Sequence, residues 1–383
     1  MTGFPRAKTA IVGAATFGMG EAPGLSSTDL AGQATVRALA DAGLSLGDVD
    51  ALFIALPSEP LSGLSFAQYL GIEPAITENN RSGGSSFQTH VMFAALALDA
   101  GLCNCAVIAY GSNQRTGTGK LVSAAAPDPY EAPYGLRLPV GAYALAAARH
   151  MHDYGTRPEQ LAEVAVAARG WAALNPDAFL RDPLSVDDVL SARRVCDPLG
   201  LLDCCLVTDG AAAIVMTRSD RARDLRQPQI AVLGAAQATT HFNISSMPDL
   251  TTTAAARSGP AAMAQAGITP NDVDVLQLYD AFTINPILFL EDLGFCKKGE
   301  GGSFVEGGRI APSGALPVNT NGGGLSCVHP GMYGLFTLVE SVVQLRGQAG
   351  ARQVEGAQIA VSHANGGFLS SQATVVLATE DAA

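Results

Sequence analysis

Charge is scarce in this sequence. Lys, Arg, Asp and Glu make up 15% of 383 residues, against 48% hydrophobic residues. That is apolar for a soluble chain, and it predicts a large core and a buried subunit interface. Cations are scarcer than anions: 23 Lys and Arg against 35 Asp and Glu leave a formal net charge of −12. A nucleic acid is held by a cationic face that releases counterions, so this balance argues against such a partner. An anionic cofactor would have to be bound by local cations or backbone N–H groups.

Long apolar runs are also missing. Nothing reaches the roughly 20 apolar residues of a membrane span. The best run, Val91–Leu102, is short and contains Asp99. Arg6 and Lys8 before Ala10–Met19 mimic a signal peptide, but the same apolar pattern returns in mid-chain at Ile230–Ala236, where no signal could act. There is no Cys-x-x-Cys pair. Seven cysteines, with Cys103/Cys105 and Cys204/Cys205 too close for an ordinary disulfide framework, predict reduced thiols, a cytoplasmic setting and no metal site.

What is present is a repeat. Ala10–Ala15 reads as a buried strand, Asp29–Ala42 as a helix stopped by Gly43, and Leu46–Asp50 as the lead into a strand Ala51–Leu56. The second half repeats this order. Ile230–Ala236 is the strand, Thr252–Ala266 the helix stopped by Gly267, and Ile268–Asp274 the lead into Val275–Leu278. Both units predict β-α-β with a right-handed crossover. Gly83-Gly84-Ser85 and Gly322-Gly323-Gly324 then stand at matching strand-to-helix turns, before His90 and His329. Such turns meet where α/β sheets bind ligands, so the two are expected to share one pocket. The halves are placed at 1–228 and 229–383, with an inserted segment at about 116–209. That segment is either a structural excursion or a lid over substrate.

The chain resembles the thiolase superfamily, most closely the branch linked to sterol carrier proteins. The likeness is carried by Asp209–Ala213, Tyr279-Asp280-Ala281-Phe282-Thr283, Gly294-Phe295-Cys296 with Lys298–Gly301, and Asn319–Gly324 running on to His329-Pro330-Gly331-Met332-Tyr333-Gly334. It implies a five-layered α-β-α-β-α fold built from two repeated halves, a homodimer or larger assembly, and a coenzyme A thioester as substrate with no covalently bound cofactor. It also implies a small partner protein with a zinc ribbon and an OB-like fold. The chemistry it implies makes or breaks a carbon–carbon bond beside the thioester.

The resemblance marks His329 as general base or oxyanion donor. His363, in Ser362–Gly367, falls near the family's second catalytic cysteine, and Tyr279 stands where thiolases have asparagine and the sterol-carrier branch histidine. Asp280, Asn321, Gly367 and Tyr333 complete the expected oxyanion and substrate-positioning set. The nucleophile departs from the family. Aligning Asn79–Gly84 places Ser82 where a cysteine belongs, with Ser85 or Ser86 as candidates if the alignment shifts. Serine there needs strong activation by a base. Cys327, two residues before His329, reads as pocket wall. Three readings follow: a thiolase-type acyltransferase, a cysteine-independent retro-aldol lyase acting on a β-hydroxyacyl-CoA, and a non-catalytic acyl-CoA or lipid-binding subunit.

Overall fold

The computed structural model describes residues 3–57, 59–118 and 128–383. Part of the inserted segment, 119–127, lies outside them. The first repeat builds β1 (Thr9–Gly20), α1 (Ser27–Ala42), β2 (Ala51–Ile54), α2 (Ser62–Leu70), β3 (Ile76–Glu78), α3 (Ser86–Asp99) and β4 (Ala106–Ser112). The inserted segment carries α4 (Val140–Tyr154), α5 (Pro158–Ala173), α6 (Val186–Ser191) and a two-stranded ribbon, β5 (Arg194–Cys196) with β6 (Leu199–Gly200). The chain returns through β7 (Asp209–Arg218) and one helical turn, α7 (Ser219–Ala222). The second repeat builds β8 (Ile230–Thr239), α8 (Ala255–Ala266), β9 (Val275–Leu278), α9 (Ile284–Asp292), α10 (Gly301–Val305), α11 (Gly334–Leu345), β10 (Ile359–Gly366) and β11 (Ser371–Ala378).

The strand order is β3-β2-β4-β7-β1-β8-β11-β10-β9. Read outward from its middle, β1-β7-β4-β2 in one half corresponds to β8-β11-β10-β9 in the other. The halves join where β1 pairs with β8 through Ala10–Ala231 and Ile11–Ile230. Helix α1 covers one side of the first half, α8 one side of the second, and α3 and α11 pack against each other and against strands of both. The result is the expected five layers, with α3 and α11 in the middle one.

Sequence and structure agree residue by residue in the connections. Ser26 and Asp29 form a capping box at the start of α1, and Gly43, at φ 74°, closes its end in the left-handed conformation. Gly267, at φ 73°, does the same for α8. The paired Asp-Val-Asp motifs also do identical work. Asp48 and Asp272 accept from Ser45 and Thr269 and hold a short helical turn. Asp50 accepts the backbone N–H groups of Asn104 and Cys105, and Asp274 those of Gln358 and Ile359, pinning the next parallel strand in each half. Helix α8 starts three residues later than expected, at Ala255, because Thr251–Thr253 are held in a turn by the carboxylates of Asp249 and Asp292.

Candidate active site

The two glycine-rich turns meet in the middle layer. Gln88 of α3 donates to the Gly334 carbonyl at 2.8 Å, and a side chain on Gly334 would collide with the Gly84 carbonyl. Gly83, at φ 90°, lies so close to the β10–β11 turn that a methyl group on it would stand 2.8 Å from Gly367 N. Beside these contacts opens a cavity of about 450 Å³. Its wall includes Ser82, Gly83, Gly84, Tyr143, Cys205, Tyr279, Phe282, His329, Met332, Asn365, Gly366 and Gly367, with Arg81, His241 and Phe242 also contributing. That lining is mostly apolar with a few convergent polar groups, as small-molecule sites are.

Four of the residues singled out in the sequence line this cavity: Ser82, Tyr279, His329 and Gly367. His329 is held by its backbone, which donates to Thr208 Oγ1 at 3.0 Å and accepts from Gln114 Nε2 at 2.9 Å. The residue is 6% exposed, and Nε2 has no hydrogen-bond partner among the described residues. Burial lowers its pKa to about 4, so the imidazole is neutral at physiological pH. The Tyr279 ring stands edge-on to both His329 and Tyr333, and its hydroxyl reaches the Gly331 carbonyl at 3.3 Å. Tyr110 of β4 fastens the same turn from below, donating to the Pro330 carbonyl and accepting from Met332 N.

Asp280, Asn321 and Tyr333 stand behind that wall. The Asp280 carboxylate accepts from Gly324 N at 2.6 Å and Leu325 N at 3.3 Å, which shapes the turn before His329. Gly323 is needed there, since any side chain would meet Asp280 Oδ2 at 2.0 Å. Burial raises the Asp280 pKa to about 7 against the pull of those backbone bonds. Asn321 Oδ1 accepts from Tyr333 Oη and Gly323 N, each at 2.8 Å.

His363 is not on the cavity wall. It is fully buried, edge-on to Phe289, with Nδ1 on Thr374 and Nε2 on Gln372. Ser85 and Ser86 are equally enclosed: Ser85 Oγ bonds Ser371 Oγ, and Ser86 Oγ bonds Gly83 O and Ser82 N. Cys327 is buried away from the cavity, its sulfur accepting from Asn175 Nδ2 at 3.6 Å. No cluster of His, Cys, Asp or Glu among the described residues has the geometry of a metal site, and no described helix is long and apolar enough to cross a membrane.

Sequence reading missed Tyr143, Cys205 and Asn365. Tyr143 comes from α4 in the inserted segment and stacks on Phe282 at 4.4 Å. Cys205 lines the cavity and donates its backbone N–H to the Ala281 carbonyl. Neither lies in a motif that marks it. Asn365 sits inside the Ser362–Gly367 segment, and only its alternation with His363 along β10 hinted at it.

Residues 236–379 match the family described as thiolase C-terminal domain-like. The chain is 36% identical to an acetyl-CoA acetyltransferase of Methanothermobacter thermautotrophicus over 94% of this chain and 96% of that one. It is 35% identical to the 17-hydroxy-3-oxo-4-pregnene-20-carboxyl-CoA lyase of Mycobacterium tuberculosis, over 89% of this chain and 92% of that one. Among solved structures, the Ltp2-ChsH2(DUF35) aldolase superposes with a TM-score of 0.89 at 31% identity, covering 98% of this chain and 99% of that chain. The chain belongs to the thiolase superfamily, in the branch it shares with the sterol-carrier-protein thiolases.

Proposed function

We propose that this thiolase-like enzyme breaks or makes a carbon–carbon bond of a β-hydroxyacyl-CoA by a retro-aldol or aldol route, without an acyl-enzyme. One observation carries the reading. The turn that should present a nucleophile presents Ser82, whose Oγ is bonded to Ser85 Oγ at 3.1 Å, and no imidazole or carboxylate touches it among the described residues. A serine hydroxyl without a base is a weak nucleophile. The neutral His329, with Nε2 unpartnered, suits a base for a substrate hydroxyl.

In the cleavage direction, His329 takes the β-hydroxyl proton. The Cα–Cβ bond breaks, the hydroxyl carbon becomes a carbonyl, and the electron pair moves into the thioester as an enolate. The proton held on His329 then passes to Cα, with Tyr279 standing edge-on beside it, so that both side chains end as they began. The similarity to a CoA lyase and to an aldolase across nearly the whole chain supports this route. The acyltransferase is the second reading, supported by the acetyltransferase relative and by Ser82 on the cavity wall.

The same reading includes a homodimer, a cytoplasmic setting and a small zinc-ribbon partner. The aldolase neighbour named with a DUF35 component supports the partner. Exposed Leu61 and Leu64, beside and within α2, support an apolar subunit contact. The halves 1–228 and 229–383 serve as its two structural units.

The test is turnover of β-hydroxyacyl-CoA thioesters by the purified chain, with no free CoA added, followed by intact-mass analysis of the enzyme. Release of an acyl-CoA and a carbonyl product with no mass adduct supports the lyase. An acyl group trapped on Ser82, or an absolute need for free CoA, overturns it.

A further inference from the structure

His363 is shut out of the cavity, but its hydrogen bonds lead back to it. Gln372 Oε1 can only accept, so the 3.0 Å contact requires a hydrogen on His363 Nε2. The ring is neutral, because burial depresses its pKa to about 3, so Nδ1 accepts and Thr374 O–H donates to it at 2.8 Å. Ser258 then donates to Thr374 at 3.1 Å. On the other side, Gln372 Nε2 donates to Asn365 Oδ1 at 2.8 Å, and Asn365 Nδ2 donates to Tyr143 Oη at 2.7 Å.

Every bond in this relay runs the same way, because each amide has its oxygen on one neighbour and its nitrogen on the next. Its output is fixed. Tyr143 receives a hydrogen bond and keeps its own O–H to give. That O–H points to the Gly367 carbonyl at 3.2 Å, long for a hydroxyl donor. Tyr143 is 2% exposed, yet it lines the cavity. A loosely held donor on the cavity wall is ready for a stronger acceptor.

We propose that Tyr143 is a catalytic hydrogen-bond donor to the thioester oxygen as enolate charge develops there. His363, acting through Gln372 and Asn365, is a positioning residue that fixes the direction of that hydroxyl. The proposal rests on the enolate chemistry above and deepens it. Stacking on Phe282, next to the Tyr279–Ala281 segment, holds the Tyr143 ring against the substrate space. The incoming amide N–H strengthens the phenol as a donor, as chained hydrogen bonds polarise one another. The O–H turns from the Gly367 carbonyl toward the bound thioester oxygen, and its hold strengthens as charge develops there, a gain that is largest in the transition state.

The experiment uses the full chain with [1-13C]acetyl-CoA as probe. Isotope-edited infrared reads the bound carbonyl stretch, and deuterium exchange at the α-carbon reads enolisation. Tyr143→Phe removes the donor. Asn365→Asp keeps its shape but offers the hydroxyl a carboxylate, turning the proton away from the cavity. The wild type should show a lowered carbonyl stretch. Both variants should return it toward the free value and slow exchange about 100-fold. Affinity for acetyl-CoA should change by less than about 3-fold, because the larger part of the interaction is realised in the transition state.

A wild-type stretch equal to that of the free thioester, or one unchanged in Tyr143→Phe, overturns the donor. A loss in Tyr143→Phe but not in a folded Asn365→Asp overturns the relay. If Asn365→Asp does not fold, Gln372→Met, which cuts the relay one bond earlier, decides that part. A lowered stretch that Tyr143→Phe abolishes, with no exchange even in the wild type, supports the donor and overturns the enolate reading instead.

Discussion

The ring of Tyr279 packs directly on Gly84: a methyl group there would stand 2.0 Å from Tyr279 Cε2 and 2.7 Å from the Asn365 carbonyl. The contact joins the turn of the first repeat to the two site segments of the second. Gly84→Ala should therefore push Tyr279 off His329. We expect a loss of about 1–3 kcal/mol in stability, as for overpacking in a dense core, and a much larger loss of activity. Denaturant unfolding alongside turnover checks this. A variant with normal activity would show that Tyr279 need not be held there.

Ser82→Ala separates the two reaction routes. Among the described residues the Ser82 hydroxyl bonds only Ser85 Oγ, so its removal should leave lyase turnover within about 3-fold of wild type. A covalent route through Ser82 requires its near-complete loss, since removing a nucleophile costs several orders of magnitude. Steady-state kinetics on the same β-hydroxyacyl-CoA distinguishes these outcomes.

Acid should both silence the site and loosen the fold. Burial depresses His90 and His329 to about 4 and His363 to about 3. For each, the unfolded chain binds a proton that the folded chain refuses. Stability from these groups is complete above the unfolded value of about 6.5 and is lost as pH falls toward 4. Asp280 works in the opposite sense: with its pKa raised to about 7, it favours the fold when protonated. The three histidines outweigh it. The melting temperature should fall from pH 6.5 to pH 4.5, and activity should hold until His329 protonates near pH 4. A melting temperature that rises over that interval contradicts the burial of these rings.

Asp280→Asn tests the support behind His329. One amide oxygen can still accept from Gly324 N, but the amide nitrogen would then face the Leu325 N–H, donor against donor. The expected cost is about 1–3 kcal/mol for the buried group left unpaired, together with lower activity as the turn relaxes. Thermal melting and kinetics measure the two effects separately. Unchanged values for both would mean that the carboxylate does not shape the turn.

The repeat was legible because local chemistry writes it twice. Ser45/Asp48 and Thr269/Asp272 cap the same turn, Asp50 and Asp274 pin the same strand, and Gly43 and Gly267 end the same helix. His329, Tyr279 and Gly367 were legible because they sit in dense motifs. Such features depend on neighbours within a few residues, which the order of the chain supplies.

His363 and Tyr143 show what the order of the chain leaves open. His363 lies in a motif that points to chemistry, but β10 packs it beneath the wall with Phe289, Thr374 and Gln372. Tyr143 lies in no motif, and its hydroxyl meets Asn365 from 222 residues away. The sequence by itself determined the repeated units, the facing turns and the family. Only the tertiary structure decided which side chains reach the cavity, because a strand's side chains face a wall only once its register and its packing partner are set. It likewise decided which way Tyr143 donates, since that direction comes from bonds among β10, β11 and the inserted helix that meet nowhere along the chain.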